Sequence, residues 1–370
     1  MIDIIIVRSN PIIYDVRVEK IARSLGKKYS ISVLGWNRDG FSKKIIDKYF
    51  VPLKVFNLKA PYGKKLLVAL FPLFWTWVLI NLCFYKPRVV HTCDLDTFLP
   101  CYIYKLFFRK KIVFDVFDRY AMAYISPKLT PLYSIVNLLE ELSSKESDLL
   151  ITVTEKALRT FRRRPKHCTV IMNCSEKHNI STKKLQKNIN FLSLLYTGTI
   201  HRNRGLKQIT TAIRDIDNVE LTIIGPIIHK EVLHEILKER NVKYRGFVER
   251  KNYLEIEASS DALVILYDLN LPNNTFTSPN KIFEAMSFGL PIITNMEQEL
   301  VKEINCGILV KYDDINQIKA AVLLLRDNVE IRRTLGINGH KAFLERYNWG
   351  IMEQELYNIY EVLFKNSVTR

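Results

Sequence analysis

The stretch Ser278-Pro279-Asn280-Lys281-Ile282-Phe283-Glu284-Ala285-Met286-Ser287-Phe288-Gly289-Leu290-Pro291-Ile292-Ile293 has the residue types and spacing of a ligand-binding loop that runs into a helix. A helix starting at about Asn280 points its unpaired N–H groups and the positive end of its dipole toward the loop before it. Lys281 in the first turn opposes that dipole unless an anion sits there. Glu284, one turn in, has the reach to take hydrogen bonds from a ribose diol. Gly289-Leu290-Pro291 stops the helix and feeds the next strand. The same residues also suit an ordinary strand–loop–helix with Ser278 as its cap. Asp94 and Asp96 have the spacing of a metal pair. Arg162-Arg163-Arg164-Pro165-Lys166 is either a solvated loop or an anion contact, and His201 reads as a loop residue rather than a base. The cysteines (Cys83, Cys93, Cys101, Cys168, Cys174 and Cys306) contain no C-x-x-C pair and lie near no histidine cluster. Zinc and iron–sulfur sites are therefore not predicted, and the thiols suit a reducing compartment.

The elements that must hold these residues follow from periodicity. Short apolar runs predict strands at 2–7, 30–34, 88–91, 111–115, 149–153, 168–172, 192–197, 219–224, 242–245, 261–266 and 291–294. Helical spacing marks 15–27, 66–85, 133–147, 205–214, 230–240, 281–288, 314–326 and 328–345. Strands alternating with helices over short connections mean parallel sheets covered on both faces. For 370 residues this predicts an α/β chain of two Rossmann-like domains rather than a barrel. The polar, aperiodic segment 174–190 is the expected linker between domains 1–173 and 191–346, and a last helix from about 347 to 370 is long enough to return to the first domain. The start, Met1-Ile2-Asp3-Ile4-Ile5-Ile6-Val7, has an acid where a secretion signal has basic residues, and reads as a buried strand.

Charge divides the chain. Residues 1–200 hold 33 basic and 15 acidic side chains, a net +18, whereas residues 201–370 hold 22 and 23, a net −1. The first half therefore faces something anionic: phosphate, nucleic acid or an acidic membrane. Leu66 to Tyr85 is an uncharged 20-residue run between Lys64-Lys65 and Lys86-Pro87-Arg88, long enough to span a bilayer. Pro72, Asn81 and the strand-like Val89-Val90-His91 that follows favour a buried or interfacial helix instead. Basic residues together with this run predict a protein held peripherally on the cytoplasmic face of an anionic membrane, with Trp75 and Trp77 inserted among the headgroups. No motif supports nucleic acid as a partner.

The stretch from Ser278 closely resembles the "PNK-x-F-E-x-M-x-x-G-x-P-I-I" signature of family 4 glycosyltransferases, retaining enzymes of the GT-B fold. Asp15 to Leu25 (DVRVEKIARSL) resembles that family's opening, and His91 to Pro100 (HTCDLDTFLP) its "H-x-x-D-x-D-T-x-x-P". Asp148-Leu149-Leu150-Ile151-Thr152-Val153-Thr154, Val170-Ile171-Met172-Asn173, Tyr196-Thr197-Gly198-Thr199 with Arg204-Gly205-Leu206, Tyr244-Arg245-Gly246-Phe247-Val248 and Tyr347-Asn348-Trp349 follow in the family's order.

The resemblance implies two domains facing a central cleft, the second holding a nucleotide-sugar and the first an acceptor, with no catalytic metal and no other cofactor. It assigns the donor to Gly198, Thr199, Arg202, Arg204, Gly225, Phe247, Val248, Ser278, Asn280, Lys281, Ile282 and Glu284, and the acceptor side to Asp15, Arg17, Asp94 and Asp96. Arg204 and Glu284 are the catalytic candidates, with Asp118. The sequence departs from the family where Phe276 stands for the first acid of a Glu-x7-Glu pair, where Phe117 stands for a histidine, and where Thr199 stands for a phosphate-binding arginine. Those departures leave open a nucleotide-sugar-binding scaffold without turnover. An enzyme would pass a sugar to a membrane-borne acceptor, such as a lipid-linked glycan.

Overall fold

The computed structural model describes residues 2–10, 12–60, 65–125, 129–177, 191–248, 250–271, 274 and 280–365. The chain divides into two compact units, Met1–Met172 with Glu353–Arg370, and Asn173–Met352. Most of the linker expected at 174–190 lies outside the described residues.

Unit 1 is built on seven parallel strands, β1 (Ile4–Arg8), β2 (Ile31–Trp36), β3 (Leu53–Phe56), β4 (Val89–Cys93), β5 (Lys111–Val116), β6 (Leu149–Thr152) and β7 (His167–Val170), in the order β3-β2-β1-β4-β5-β6-β7. β1 lies centrally, with Ile4 opposite Ile31 on one side and Val89 on the other. Its five residues are all buried, as a strand covered on both faces requires. The short β3 has no continuous apolar run and is half-exposed, which is why periodicity misses it.

The Lys65–Tyr85 helix presents Phe71, Phe74, Val78 and Leu82 to this sheet, one stripe at helical spacing and all in the core. Its opposite side, with Val68, Leu73, Ile80 and Phe84, is exposed. Residues Leu67–Tyr85 are long and apolar enough to cross a membrane, yet a span would withdraw the buried stripe from the core. Trp75 and Trp77, expected among the headgroups, are half-buried and pack against the core. The Trp75 indole donates to the Asp96 carbonyl at 2.7 Å, and Trp77 stacks on Phe74, so both belong to the interior side. The following Leu95–Phe108 helix is apolar almost all round and so carries no 3.6-residue pattern to reveal it in the sequence.

From Glu353 onward the last helix, Trp349–Lys365, belongs to unit 1. The Tyr357 hydroxyl donates to the Ser24 carbonyl at 2.9 Å, and Tyr360 meets His91 Nδ1 at 2.6 Å.

Unit 2 holds β8 (Leu192–Thr197), β9 (Val219–Ile224), β10 (Val242–Tyr244), β11 (Ala262–Ile265), β12 (Ile292–Thr294) and β13 (Gly307–Leu309), all parallel, in the order β10-β9-β8-β11-β12-β13. The chain winds outward from β8 in one direction and then from β11 in the other. The carboxyl ends of β8 and β11 are therefore the switch point at which open α/β sheets bind ligands. In unit 1 the corresponding switch lies between β1 and β4.

Candidate functional site

In unit 2 a pocket at the β8/β11 switch is lined by Thr197, Gly198, Thr199, Arg204, Tyr267 and Lys281, among others. Its floor needs glycine. Gly225, at φ +145°, passes so close to Gly198 that a Cβ would lie 1.9 Å from the Gly198 carbonyl oxygen. Gly205, at φ +62°, begins the Leu206–Ile213 helix where a Cβ would meet Leu266 at 2.3 Å. Arg204 directly precedes Gly205, and its guanidinium lies 3.7 Å from the centre of the Tyr267 ring. Arg204 Nη1 is buried and has no hydrogen-bond partner among the described residues. A buried, unpaired, charged donor is costly, and an anion in the pocket removes that cost.

The Asn280–Ser287 helix packs Ile282, Phe283, Ala285 and Met286 inward and leaves Lys281 and Glu284 on its pocket side. Lys281 Nζ pairs with Glu284 Oε2 at 2.6 Å and donates to the Tyr253 hydroxyl at 2.9 Å. Tyr253 in turn donates to Glu284 Oε2 at 2.6 Å. Burial and the Glu284 charge push the Tyr253 hydroxyl far above its ordinary value, so it remains a donor. Tyr253 lies on the Arg250–Ser259 helix, for which no motif exists, and nothing in the sequence alone points to it.

The other donor-side candidates are placed unevenly. Arg202 is exposed and bonds Glu231 through its Nε at 2.7 Å. The Thr199 carbonyl accepts from the Tyr196 hydroxyl at 2.8 Å. Phe247 is 81% exposed, and Val248, beside it, is half-buried. Ser278 and Phe276 lie outside the described residues.

Unit 1 carries its own polar cluster at the β1/β4 switch. Arg8 at the end of β1 pairs with Asp15 at 2.7 Å and with Asp94, and Ser9 donates to Asp96. Asp15 also caps the Val16–Gly26 helix by accepting from the Val18 amide. Asp94, at φ +66°, accepts from the Phe117 amide at 2.8 Å, and burial pushes its carboxyl up to about 7 despite Arg8. Burial also raises Asp96, whose Oδ1 has no partner among the described residues.

Arg17 is an interior residue, held by Asp115 at 2.7 Å and 3.1 Å and by the Ile171 carbonyl at 2.6 Å. Burial works to raise Asp115, but Arg17 and His91 hold it below the usual carboxylate range. Phe117, where the resembled family has histidine, lies between two guanidinium groups, with Arg8 at 4.2 Å and Arg17 at 5.0 Å from the ring centre. A charged imidazolium there would face two cations, whereas a phenyl ring attracts both. Asp118 follows in the same loop, partly exposed. Among the described residues no three His, Cys, Asp or Glu side chains converge as a metal site would require.

Comparison with known proteins agrees with this geometry. Residues 192–328, which include β8 to β13 and the whole pocket, match the family described as glycosyl transferases group 1. A capsular polysaccharide biosynthesis glycosyltransferase, CapM of Staphylococcus aureus, is 24% identical over 208 residues, 52% of this chain and 53% of its own. An uncharacterized glycosyltransferase of Methanocaldococcus jannaschii is 25% identical over 173 residues, 46% of this chain and 48% of its own. The chain thus matches about half the length of these curated relatives. Among solved structures, sucrose-phosphate synthase of Thermosynechococcus elongatus superimposes with a TM-score of 0.78 at 15% identity, covering 98% of this chain and 100% of the other. HepE of Anabaena, solved with UDP and glucose, does so with a TM-score of 0.75 at 16% identity, covering 98% and 100%. The two units have the GT-B fold, and residues 192–328 of the second match the glycosyl transferases group 1 family.

Proposed function

We propose that the protein is a retaining, metal-independent glycosyltransferase of the family 4 type, with the "PNK-x-F-E" signature of one of its subgroups. It moves a sugar from a nucleotide-sugar to a membrane-borne acceptor, a lipid-linked glycan, in polysaccharide or glycoconjugate synthesis. The observation that carries this reading is the half-buried Arg204, whose buried Nη1 lacks a partner among the described residues, in a switch-point pocket it shares with Lys281, which in turn holds Glu284. The difficult step is departure of a nucleoside diphosphate. Arg204, Lys281 and the free N–H groups of the Asn280–Ser287 helix stabilise that growing negative charge. Glu284 holds the ribose hydroxyls. The acceptor attacks on the face the diphosphate leaves, and the departing phosphate takes its proton. Asp118 and the Asp96 Oδ1 are the groups of unit 1 read as serving the acceptor hydroxyl, with Asp94 holding Arg8 and the Phe117 amide behind them. HepE, solved with UDP-glucose, and CapM, named for capsular polysaccharide synthesis, support the donor and pathway classes.

The membrane reading rests on one layer of unit 1. The Lys65–Tyr85 helix packs against Leu95–Phe108, and that helix against Thr130–Glu146. Their outer faces expose Phe84, Leu106, Phe107, Leu132, Ile135 and Leu139. Between residues 67 and 111 the only carboxylates, Asp94 and Asp96, belong to the polar cluster at β1 and β4, while Lys86, Arg88 and Arg109 are exposed. An apolar face bordered by exposed Lys86, Arg88 and Arg109 suits an anionic lipid surface on the cytoplasmic side.

Purified protein given UDP-sugars should release UDP without sensitivity to EDTA, and Arg204→Ala and Glu284→Ala should abolish release. A strict metal requirement contradicts the mechanism, and tight UDP binding without turnover favours the scaffold reading instead. Anionic vesicles should retain the protein at low salt and release it at roughly 0.5–1 M, where exposed charges are screened. Retention reversed only by detergent points to deeper insertion, and no binding removes the membrane.

A further inference from the structure

Glu257 has no part in the function just described, yet it is the most anomalous acid in unit 2. It lies one turn beyond Tyr253 on the Arg250–Ser259 helix, with 0% exposure. Neither carboxylate oxygen makes a well-formed hydrogen bond among the described residues, and the Tyr253 hydroxyl, spent on Glu284, comes near enough only to offset part of the burial. Among the described residues, the charged and titratable groups that face it are Tyr253 on its own helix and Lys281 and Glu284 on the Asn280–Ser287 helix. The nearby cation is engaged, because Lys281 Nζ already holds Glu284 and the Tyr253 hydroxyl. An isolated buried charge is so costly that such a group keeps its proton. Burial, and then the Glu284 charge, push the Glu257 carboxyl up to about 8. An apolar side chain of similar size would fill this position without that cost, so packing does not explain a carboxyl here.

We propose that Glu257 is a proton-carrying positioning residue for the nucleotide pocket: neutral, it leaves Lys281 and Tyr253 on Glu284, and on losing its proton it draws them away. The proton goes to solvent and no other bond changes. The inference rests on the reading of Glu284 as the ribose contact. Donor-nucleotide affinity is then greatest below about pH 8 and falls above it. If only the neutral form binds, the affinity at pH 9 is about tenfold lower than at pH 7, because the competent fraction falls by that factor.

The test is UDP binding by calorimetry between pH 7 and 9 for wild type and Glu257→Gln, with Glu257→Leu in reserve should the glutamine variant fail to fold. The expected result is a tenfold fall for wild type and a flat profile for a variant that cannot ionise. Parallel profiles overturn the inference. Thermal melts without ligand give an independent reading. A raised carboxyl contributes stability that is complete below the unfolded value near 4.5 and is lost as pH rises through about 8. The melting temperature of wild type should therefore drop relative to Glu257→Gln between pH 5 and 8, and equal slopes contradict a buried neutral acid. Failure of UDP, GDP, ADP and dTDP to bind wild type at pH 6.5 removes the nucleotide reading itself. A wild type that binds UDP with the pH profile of Glu257→Gln removes only the role of Glu257.

Discussion

The two sheets place charged side chains at equivalent switch points, β1/β4 in unit 1 and β8/β11 in unit 2, and the two clusters are wired differently. In unit 1 the guanidinium groups are used up inside the protein: Arg8 by Asp15 and Asp94, Arg17 by Asp115 and the Ile171 carbonyl. Among the described residues the Asp96 Oδ1 of that cluster has no partner. In unit 2, among the described residues, Arg204 has a buried Nη1 with no partner and Glu257 has no well-formed hydrogen bond at either oxygen. Charge density alone therefore does not mark a binding site. A cluster whose members satisfy one another is a scaffold, and one with unsatisfied members is prepared for a ligand. Residues 1–200 hold the net positive charge of the chain, yet most of the pocket suited to a diphosphate, with Arg204 and Lys281, comes from the neutral half.

Breaking the scaffold should have the largest effect. Arg17→Met leaves Asp115 buried beside His91 without its guanidinium, and loss of one partner of a buried pair costs about 3–5 kcal/mol. Chemical denaturation should record that loss, and a change below about 1 kcal/mol would contradict the scaffold description.

The ligand-prepared cluster should respond in affinity instead. Arg204→Ala removes a charged donor and should weaken UDP binding by about 1.5–3 kcal/mol, roughly ten- to hundredfold. Its melting temperature should fall little, because Nη1 bonds nothing among the described residues and only the contact with the Tyr267 ring is lost. A large thermal loss at constant affinity would reverse the comparison. Glu284→Gln keeps the shape and the hydrogen-bond acceptor but loses the charge that holds Lys281, so about a tenfold weaker nucleotide is expected, or ~1.4 kcal/mol by titration calorimetry.

The smallest effect sharpens the picture of unit 1. Phe117→His puts an imidazole between Arg8 and Arg17, which should hold its pKa below the ordinary value near 6.5. A depressed histidine gives stability that is present above the unfolded pKa and is lost as pH falls through the folded one. The variant should therefore weaken, relative to the wild type, below about pH 6.5, by an amount on the order of 0.5–1 kcal/mol. Proton NMR of the ring gives its pKa directly, and a value above 6.5 would mean that the two guanidinium groups do not control the site.

Much of this was legible in the residues because burial on both faces of a parallel strand leaves continuous apolar runs, as in Ile4–Arg8 and Val219–Ile224. The Asn280–Ser287 helix and its Lys281 and Glu284 were equally plain. β3 and β13 were not, being short and partly exposed, and the Leu95–Phe108 helix was hidden by its lack of a polar face. The tryptophans misled for a related reason: a helix apolar on every side does not reveal which stripe meets the sheet.

The sequence by itself determined which segments become strands and helices, that the sheets are parallel, and that a lysine and a glutamate stand in the first turns of one helix. Those properties depend on spacing along a single element, which the chain records directly. Only the tertiary structure decided which charges cancel and which remain, because pairing depends on distance between elements far apart in sequence. Arg17 and Asp115 are 98 residues apart and meet at 2.7 Å, and Tyr253 reaches Glu284 across 31 residues at 2.6 Å. Coulombic and hydrogen-bond energies are decided by those few ångströms and by the loss of water around them, and neither is written in the order of the residues.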